Sequence, residues 1–331
     1  MSPSILPLVS IGLPVFNGEK GLARALDSLV GQDYENLEII VSDNGSTDAT
    51  SVICAEYSSK DPRVRYYKSE KNQGSSWNFN RVFELSSGKY FMWAAHDDDR
   101  HPSFVSACVE KLEKCPDAVL CQARTSAHIE GNERLLYTAT LFSFEDKVSL
   151  LARYRETLKS FPATALYGVY RSSAMRKTKL FRKSVATDMA FAQELSIYGR
   201  FVHVPSVLFT YWGRANWNSI NDDYRTFFNG DRKPWWYIPF IFLFLDHWQR
   251  VGDADIPLSS KLILWIALVL HEARQLSIKI LTRSSAKLCP RRWKKNVGIA
   301  IYKWCFLSIN IIVADHELFF ERVIRPQLRW Y

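Results

Sequence analysis

The chain carries the stretch Tyr90-Phe91-Met92-Trp93-Ala94-Ala95-His96-Asp97-Asp98-Asp99, in which a six-residue apolar run leads directly into three consecutive aspartates. An apolar run of this length and composition is typical of a buried strand. Three adjacent carboxylates repel one another and have no role in a core. Such a cluster becomes favourable when a divalent cation neutralises it, because hard cations prefer carboxylate oxygens. The alternative is a solvated acidic turn before the helix that Pro102 opens.

Strand-like and helical segments alternate along the first half of the chain. Besides the run at Tyr90–Ala95, the strand-like segments are Leu8–Val15, Leu37–Val41, Val64–Tyr67 and Ala118–Ala123. Segments with helical spacing of apolar residues separate them. This alternation predicts parallel pairing with right-handed crossovers. We therefore expect an α/β fold with an open, mostly parallel, Rossmann-like sheet and flanking helices.

Polar residues follow several of these strands at the point where each one ends. Pro14 to Asn17 closes the first strand, Asp43 lies two residues beyond the second, and Asp97 two beyond the run at Tyr90–Ala95. Ligands in open α/β sheets gather outside the carboxyl ends of the strands. A carboxylate at Asp43 can accept the imide N–H of a uracil or thymine ring. Helix capping explains the polar residues 46–48 without any ligand.

The last third of the chain differs in composition from the rest. Residues 225–331 carry 17 Lys and Arg against 8 Asp and Glu, whereas residues 1–224 carry 26 of each. Seven of the eleven Trp also lie in residues 225–331. We predict a domain over residues 1–224 and a basic, Trp-rich helical region over 225–331. Basic residues mixed with Trp suit contact with an anionic membrane surface. The apolar side chains of the C-terminal helices suit dimerisation equally well.

The sequence also indicates the cellular location of the protein and excludes several classes of binding site. No apolar run reaches the roughly 18 residues that a spanning helix needs. No basic residue precedes Lys20, so we do not expect a secretory signal. The six Cys form no CxxC pair, which indicates reduced thiols and a cytoplasmic protein. Together with the basic, Trp-rich last third, this predicts a peripheral location on the cytoplasmic face of the membrane. Dinucleotide-binding and P-loop motifs are missing, and we expect no nucleic-acid partner.

An ordered set of motifs resembles the inverting glycosyltransferases of family 2, which have the GT-A fold. The resemblance covers roughly residues 6–220 and is carried by residues 14–19, Ile39–Asp48, Asn72-Gln73-Gly74, 77–80, Gly88-Lys89-Tyr90, His96–Asp99 and Pro102. Each motif is weak alone, but the set in this order is specific. The resemblance implies transfer of a sugar from a nucleoside diphosphate sugar, with Mg²⁺ or Mn²⁺ as cofactor. The acceptor it suggests is a glycan or lipid-linked precursor.

The resemblance also assigns roles to individual residues. The residues expected to bind the nucleotide sugar are Pro14, Phe16, Asn17, Glu19, Asp43, Asn44, Asn72, Gly74, Asn80, Asp98 and Arg214. The first Asp of the usual DxD motif falls on Ala95, in an Ala-His-Asp-Asp variant, and the metal-binding Asp falls on Asp97. A second register of the motif makes Asp99 the metal ligand.

Asp188 is the implied general base. It lies in the first turn of a predicted helix that Gly199 ends, and an anion is favourable there without any catalytic role. In the resembled family an acidic residue at this position deprotonates the acceptor hydroxyl. Two other functions remain open: a non-catalytic nucleotide- or glycan-binding protein that keeps the fold, and a sugar-phosphate nucleotidyltransferase. A sugar-phosphate nucleotidyltransferase requires a Gly-rich, Arg-containing loop after the first strand, and Pro14–Gly18 lacks that pattern.

Overall fold

A computed structural model of the protein describes residues 6–129, 132–139, 146–147, 149–159, 163–184, 186–213 and 239–288. The chain divides into two compact units, residues 1–268 and 269–331. Among the described residues, the first unit holds the sheet and all the helices except the end of the last one. Of the second unit, the structure describes residues 269–288, which are helical.

The strands and helices of the first half alternate as the sequence predicts. The strands are β1 (Val9–Val15), β2 (Leu37–Asp43), β3 (Val64–Lys68), β4 (Tyr90–Trp93), β5 (Asp99–Arg100), β6 (Ala118–Ile129), β7 (Asn132–Ala139), β8 (Val169–Arg171) and β9 (Arg200–Gly213). The helices are α1 (Leu22–Val30), α2 (Thr50–Lys60), α3 (Ser75–Glu84), α4 (Phe104–Lys114), α5 (Leu150–Lys159), α6 (Ser172–Met175), α7 (Thr187–Tyr198), α8 (Pro239–Asp253) and α9 (Leu258–Leu288), with a 3₁₀ helix at Ala163–Tyr167.

The described strands form one mixed sheet in the order β3-β2-β1-β4-β8-β6-β9-β5, with β7 on the edge of β6. Strands β3, β2, β1 and β4 are parallel. Strand β8 is antiparallel to β4 and to β6, whereas β6 and β9 run parallel. The predicted open α/β sheet with flanking helices is therefore confirmed, and its parallel half has the strand order of a nucleotide-binding fold.

Apolar side chains fill the space on both faces of the sheet. Strand β1 is buried over its whole length because helices cover both of its faces. One core cluster includes Ile11, Leu26 and Val105, and a second is built around the fully buried Trp93. The Trp93 ring stacks on Phe181 at 5.1 Å and meets the edge of Phe191 at 5.2 Å. These aromatic contacts fix the end of β4 against α7.

Helix α8 packs on α7 within the first unit. Arg250 on α8 forms an ion pair with Glu194 on α7, with both side chains 1% exposed. Helix α8 thus belongs to the first compact unit, which ends at residue 268, and the domain boundary after residue 224 stays a prediction. Residue 224 itself lies outside the described residues.

Candidate active site

Two glycines bring the loop after β1 into contact with the acidic loop, residues 96–99, that follows β4. A Cβ added to Gly21 would stand 2.9 Å from the Cα of Asp97 and 2.9 Å from the backbone oxygen of His96. A Cβ on Gly18 would stand 2.8 Å from the His96 ring. Only residues without a side chain permit this approach. The ends of β1 and β4 therefore meet at one edge of the sheet, as the strand order requires.

Asp43 stabilises the loop after β2 through hydrogen bonds to its carboxylate. Its carboxylate is fully buried, and Oδ1 accepts a hydrogen bond from the backbone N–H of Ser46 at 2.8 Å. Oδ2 accepts from the hydroxyls of Ser51 and Tyr66, each at 3.0 Å. Three of the roughly four acceptor sites of this carboxylate are therefore used inside the protein, and the contact of Asp43 with a base N–H stays a prediction.

Asn44 ties the loop after β2 to the loop before α3. Its amide nitrogen donates to Asn72 Oδ1 at 2.9 Å and to the Gly74 oxygen at 3.1 Å. Its amide oxygen accepts from the backbone N–H of Gln73 at 2.9 Å. Gly45, at φ +78°, lies against the backbone of Lys71. Asn44 is thus buried and structural, whereas Asn72 is exposed beside it.

The loop after β1 presents three of the predicted residues to solvent. Asn17 adopts φ 51°, and its Oδ1 accepts from the backbone N–H of Thr47 at 2.9 Å. Glu19 accepts from the backbone N–H of Ala49 at 3.2 Å. Phe16 exposes 42% of its surface, while Pro14 is buried in β1. The loops after β1 and β2 therefore form one hydrogen-bonded rim with Phe16 on it.

The three aspartates of the acidic loop occupy three different environments. Asp97 is half-buried, and no described residue hydrogen-bonds its carboxylate. Asp98 is fully buried, and its Oδ1 accepts from the backbone N–H of Trp212 at 3.0 Å. Asp99 forms an ion pair with Arg24 at 3.0 Å and accepts from the Trp212 indole N–H at 2.6 Å. Both oxygens of Asp99, the metal ligand of the second register, thus have partners within the protein.

Asp98 and Arg100 carry opposing buried charges. Burial, with the neighbouring charge of Asp97, raises the pKa of Asp98 to about 7. Burial lowers the pKa of Arg100 to about 10. Arg100 donates to the Trp93 oxygen at 3.0 Å, and its guanidinium lies 4.9 Å from the centre of the Phe209 ring. Within the part of the chain that the structure describes, Asp98 Oδ2 has no hydrogen-bond partner.

Asn80 contacts the segment before α7. Its amide nitrogen donates to the Phe181 oxygen at 2.8 Å, and its amide oxygen accepts from the Phe181 N–H at 3.0 Å. Both polar ends of the side chain are therefore used by the backbone of one residue. The contact of Asn80 with a nucleotide sugar stays a prediction.

Asp188 lies in the first turn of α7 and is half-buried. Phe191, three residues later and on the same helix face, packs on Trp93 at the end of β4. The first turn of α7 thus faces the strand that leads into the acidic loop. The negative charge of Asp188 adds to the effect of burial, which raises the pKa of Tyr170 well above its usual value. Arg214 lies outside the described residues.

Two residues to which the sequence assigned no role of their own help to build this site. Arg24 contacts the acidic loop, and nothing in the pattern of α1 separates it from other exposed residues of that helix. Asn78 is buried and donates to the backbone oxygens of Val15 at 3.3 Å and Ser42 at 2.9 Å. The signal for Asn78 is its place one turn before Val82, since a polar residue on an apolar helix face needs internal partners.

A metal at this edge would have few protein ligands. Among residues 6–129 and the other described ranges, no three His, Cys, Asp or Glu side chains form a ready metal-binding group. Mg²⁺ and Mn²⁺ bound with a nucleotide commonly take one or two carboxylates, the rest of the ligands being phosphate oxygens and waters. The half-buried Asp97 carboxylate and the unpartnered oxygen of Asp98 fit such a cation.

Comparison with known proteins agrees with the fold. The sequence profile described as glycosyl transferase family 2 matches residues 10–184. The chain is 29% identical over 209 residues to chondroitin synthase of Escherichia coli, which is 62% of this chain and 29% of that protein. It is 36% identical over 180 residues to glycosyltransferase GlyA of Streptococcus pneumoniae serotype 4, covering 53% of this chain and 25% of that one. The chain thus spans under a third of the length of both relatives.

Solved structures give the same fold at low sequence identity. S. aureus TarS 1-349 in complex with UDP-GlcNAc superposes with a TM-score of 0.59 at 16% identity, over 80% of this chain and 72% of that chain. Mannosyltransferase PcManGT from Pyrobaculum calidifontis, in complex with GDP-Man and Mn2+, superposes with a TM-score of 0.51 at 14% identity, over 94% of this chain and 88% of that chain.

Proposed function

The chain belongs to glycosyl transferase family 2, and from that membership we propose a metal-dependent, inverting transfer of a sugar from a nucleoside diphosphate sugar to a hydroxyl acceptor. That the protein is a glycosyltransferase follows from the family itself. The proposal of a metal-dependent, inverting transfer rests on the close approach of Gly21 to Asp97. It joins the exposed rim after β1 to a half-buried carboxylate at the end of β4.

Asp97 holds the cation in this proposal, with Asp98 beside it. The diphosphate of a nucleotide sugar carries about two negative charges, so its approach to three aspartates is repulsive unless a cation offsets them. A bound Mg²⁺ or Mn²⁺ supplies that charge and stabilises the departing nucleoside diphosphate. Ala95 stands where a DxD motif has its first Asp, so this Ala-His-Asp-Asp variant lacks that carboxylate. The proposed binding site of the nucleoside is the exposed rim that includes Phe16 and Asn17.

Asp188 is the proposed general base. It accepts the proton of the acceptor hydroxyl while that oxygen forms a bond to the anomeric carbon. The bond between the anomeric carbon and the phosphate oxygen breaks on the opposite side, and the electron pair leaves with the nucleoside diphosphate. A single displacement inverts the anomeric configuration. The support for this role is the place of Asp188 in the first turn of α7, next to the aromatic cluster around Trp93.

The proposed acceptor is a glycan or lipid-linked precursor at the cytoplasmic face of a membrane. Helices α8 and α9 expose apolar side chains, among them Leu245, Leu262, Ile263 and Ile266. None of the described helices is both long and apolar enough to cross a membrane. We propose peripheral contact of these helices with an anionic membrane surface, assisted by the basic composition of residues 225–331. A homodimer through the same helices is the competing use of that surface.

The proposal is tested by a thermal-shift screen of UDP, dTDP and GDP with and without Mn²⁺. Ligands that bind the folded state raise its unfolding temperature by mass action. We expect one of the nucleotides to stabilise the protein only with Mn²⁺, and Asp97→Asn to abolish both that shift and sugar transfer. The exposed Asp33→Asn is the matched control and retains both. Binding without any transfer or donor hydrolysis would favour a non-catalytic binding protein instead.

A further inference from the structure

Arg24, on helix α1, contacts the acidic loop through two hydrogen bonds and one aromatic ring. Its Nη2 donates to the backbone oxygen of Asp97 at 2.6 Å, and its Nε donates to Asp99 Oδ1 at 3.0 Å. The guanidinium also lies over the Trp212 ring, 4.9 Å from its centre. An isolated surface ion pair contributes little. The planar fork of an arginine can, however, bind two acceptors and stack on an aromatic face at the same time, which a lysine cannot do.

The contact with the Asp97 oxygen restrains the backbone of the proposed metal ligand. Because the peptide unit is planar, a fixed carbonyl direction limits the rotation of the Asp97 backbone and hence the direction of its Cα–Cβ bond. Gly21, one turn before Arg24 on the same side of α1, packs against the Cα of Asp97. Asp97 is therefore held twice from α1, once by packing and once by a hydrogen bond.

Both carboxylate oxygens of Asp99 have partners within the protein. One oxygen of Asp99 pairs with Arg24, and the other accepts from the Trp212 indole N–H at 2.6 Å. The Trp212 backbone N–H donates to Asp98, and its ring lies 5.2 Å from that of His128. Strand β9 and helix α1 thus hold the acidic loop from two sides. With both oxygens of Asp99 engaged, the Asp97 carboxylate and the unpartnered Oδ2 of Asp98 are the aspartate oxygens of this loop left for a ligand.

We propose that Arg24 is a positioning residue that sets the register of the acidic loop, so that Asp97 rather than Asp99 faces the bound cation and diphosphate. This inference rests on the proposed function. It adds Arg24, which lies on α1 outside the acidic loop, as the residue that determines which aspartate of that loop binds the cation.

The test compares Arg24→Met, Arg24→Lys and Arg65→Met in the full chain. Arg65 is the matched control, because its side chain is also 43% exposed, pairs with a carboxylate (Glu38) and lies over the ring of Tyr67. UDP, dTDP and GDP are first tried on the wild type with Mn²⁺. Each variant is then titrated with Mn²⁺ at a fixed concentration of the nucleotide that binds. Hydrogen exchange of peptides covering residues 96–101 is followed in parallel.

We expect Arg24→Met to raise the Mn²⁺ concentration for half-maximal nucleotide binding about tenfold or more. We expect its acidic loop to exchange faster, while its unfolding temperature stays close to that of Arg65→Met. Arg24→Lys is expected to restore only part of the Mn²⁺ affinity. If Arg24→Met matches Arg65→Met in both readouts, or if Lys restores both completely, the inference is overturned. A wild type that binds none of the nucleotides with Mn²⁺ contradicts the proposed function itself.

Discussion

Arg250 Nη1 on α8 donates to Glu194 Oε2 on α7 at 2.6 Å, and both side chains are almost completely buried. Glu194 also accepts two hydrogen bonds from the backbone N–H of Lys179, which belongs to the segment before α7. Arg250 donates in addition to Asp246 at 3.0 Å. This charge network joins α8 to the helix that carries Asp188.

Arg250→Met is therefore expected to destabilise the protein strongly. Removal of one partner leaves a buried carboxylate without its counter-charge, which costs about 3–5 kcal/mol. Urea unfolding measures this loss, and the double variant Arg250→Met with Glu194→Gln is expected to lose less than the sum of the single changes. Lys60→Met, which breaks an exposed pair with Glu56, serves as control and is expected to cost within about 0.5 kcal/mol.

Gly21→Ala tests the close approach of α1 to the acidic loop. The added Cβ meets the backbone of His96 and Asp97, which cannot move aside as a flexible side chain can. We expect a loss of about 1–3 kcal/mol in the free energy of unfolding, together with weaker Mn²⁺-dependent nucleotide binding. The control is Gly252→Ala on α8, where the nearest atom is the Trp265 ring carbon Cζ2 at 3.5 Å. That substitution is expected to stabilise the protein by about 0.5–1 kcal/mol.

The pair of Arg63 and Asp61 gives the protein part of its acid sensitivity. Hydrogen bonds from the Arg63 guanidinium, the closest at 2.7 Å, hold the pKa of Asp61 below its usual range. A lowered pKa stabilises the fold above the unfolded-state value of about 3.9, and this stabilisation is lost as the pH falls through the folded-state pKa. The stability gap between wild type and Arg63→Met is expected to narrow from about pH 6 to about pH 3. A gap that stays constant in urea unfolding would assign the effect to the bond from Arg63 to the Val30 oxygen instead.

The exposed face of α9 tests the proposed membrane contact. Leu262 and Ile266 lie one turn apart and are 50% and 59% exposed. We expect their joint replacement by Gln to reduce co-sedimentation with vesicles that contain anionic phospholipid, and added salt to weaken binding of the wild type. Retention that salt does not change would indicate an apolar anchor. An unchanged vesicle affinity together with loss of a dimer would assign the face to a second copy of the chain.

The sequence predicted those parts of the fold that depend on patterns of neighbouring residues. The apolar runs that became β1, β2, β4 and the start of β6 were recognised because burial on both faces demands nearly continuous apolar residues. The meeting of strand ends at Asp97 followed from topology alone. The partnership of β6 with β9 was not predicted, because about seventy residues separate strands that no local pattern links.

Individual polar residues were harder to assign than strands. Asp43, Asn44 and Asn80 lie at the predicted edge, yet the structure uses them to satisfy backbone groups and hydroxyls of the loops. A motif reveals that a polar side chain is required, but not whether its partner is a ligand or the chain itself. Arg24 was missed for the opposite reason, since its role depends on a contact between α1 and residues more than seventy positions away.

The most direct test of the account is a crystal structure with Mn²⁺ and a nucleoside diphosphate, in which the anomalous signal locates the metal. We predict a Mn²⁺ peak within about 2.0–2.6 Å of an Asp97 carboxylate oxygen, with the diphosphate on the same ion and Asp99 still paired with Arg24. A peak on Asp99, or a nucleotide bound away from the ends of β1 and β4, would contradict the account.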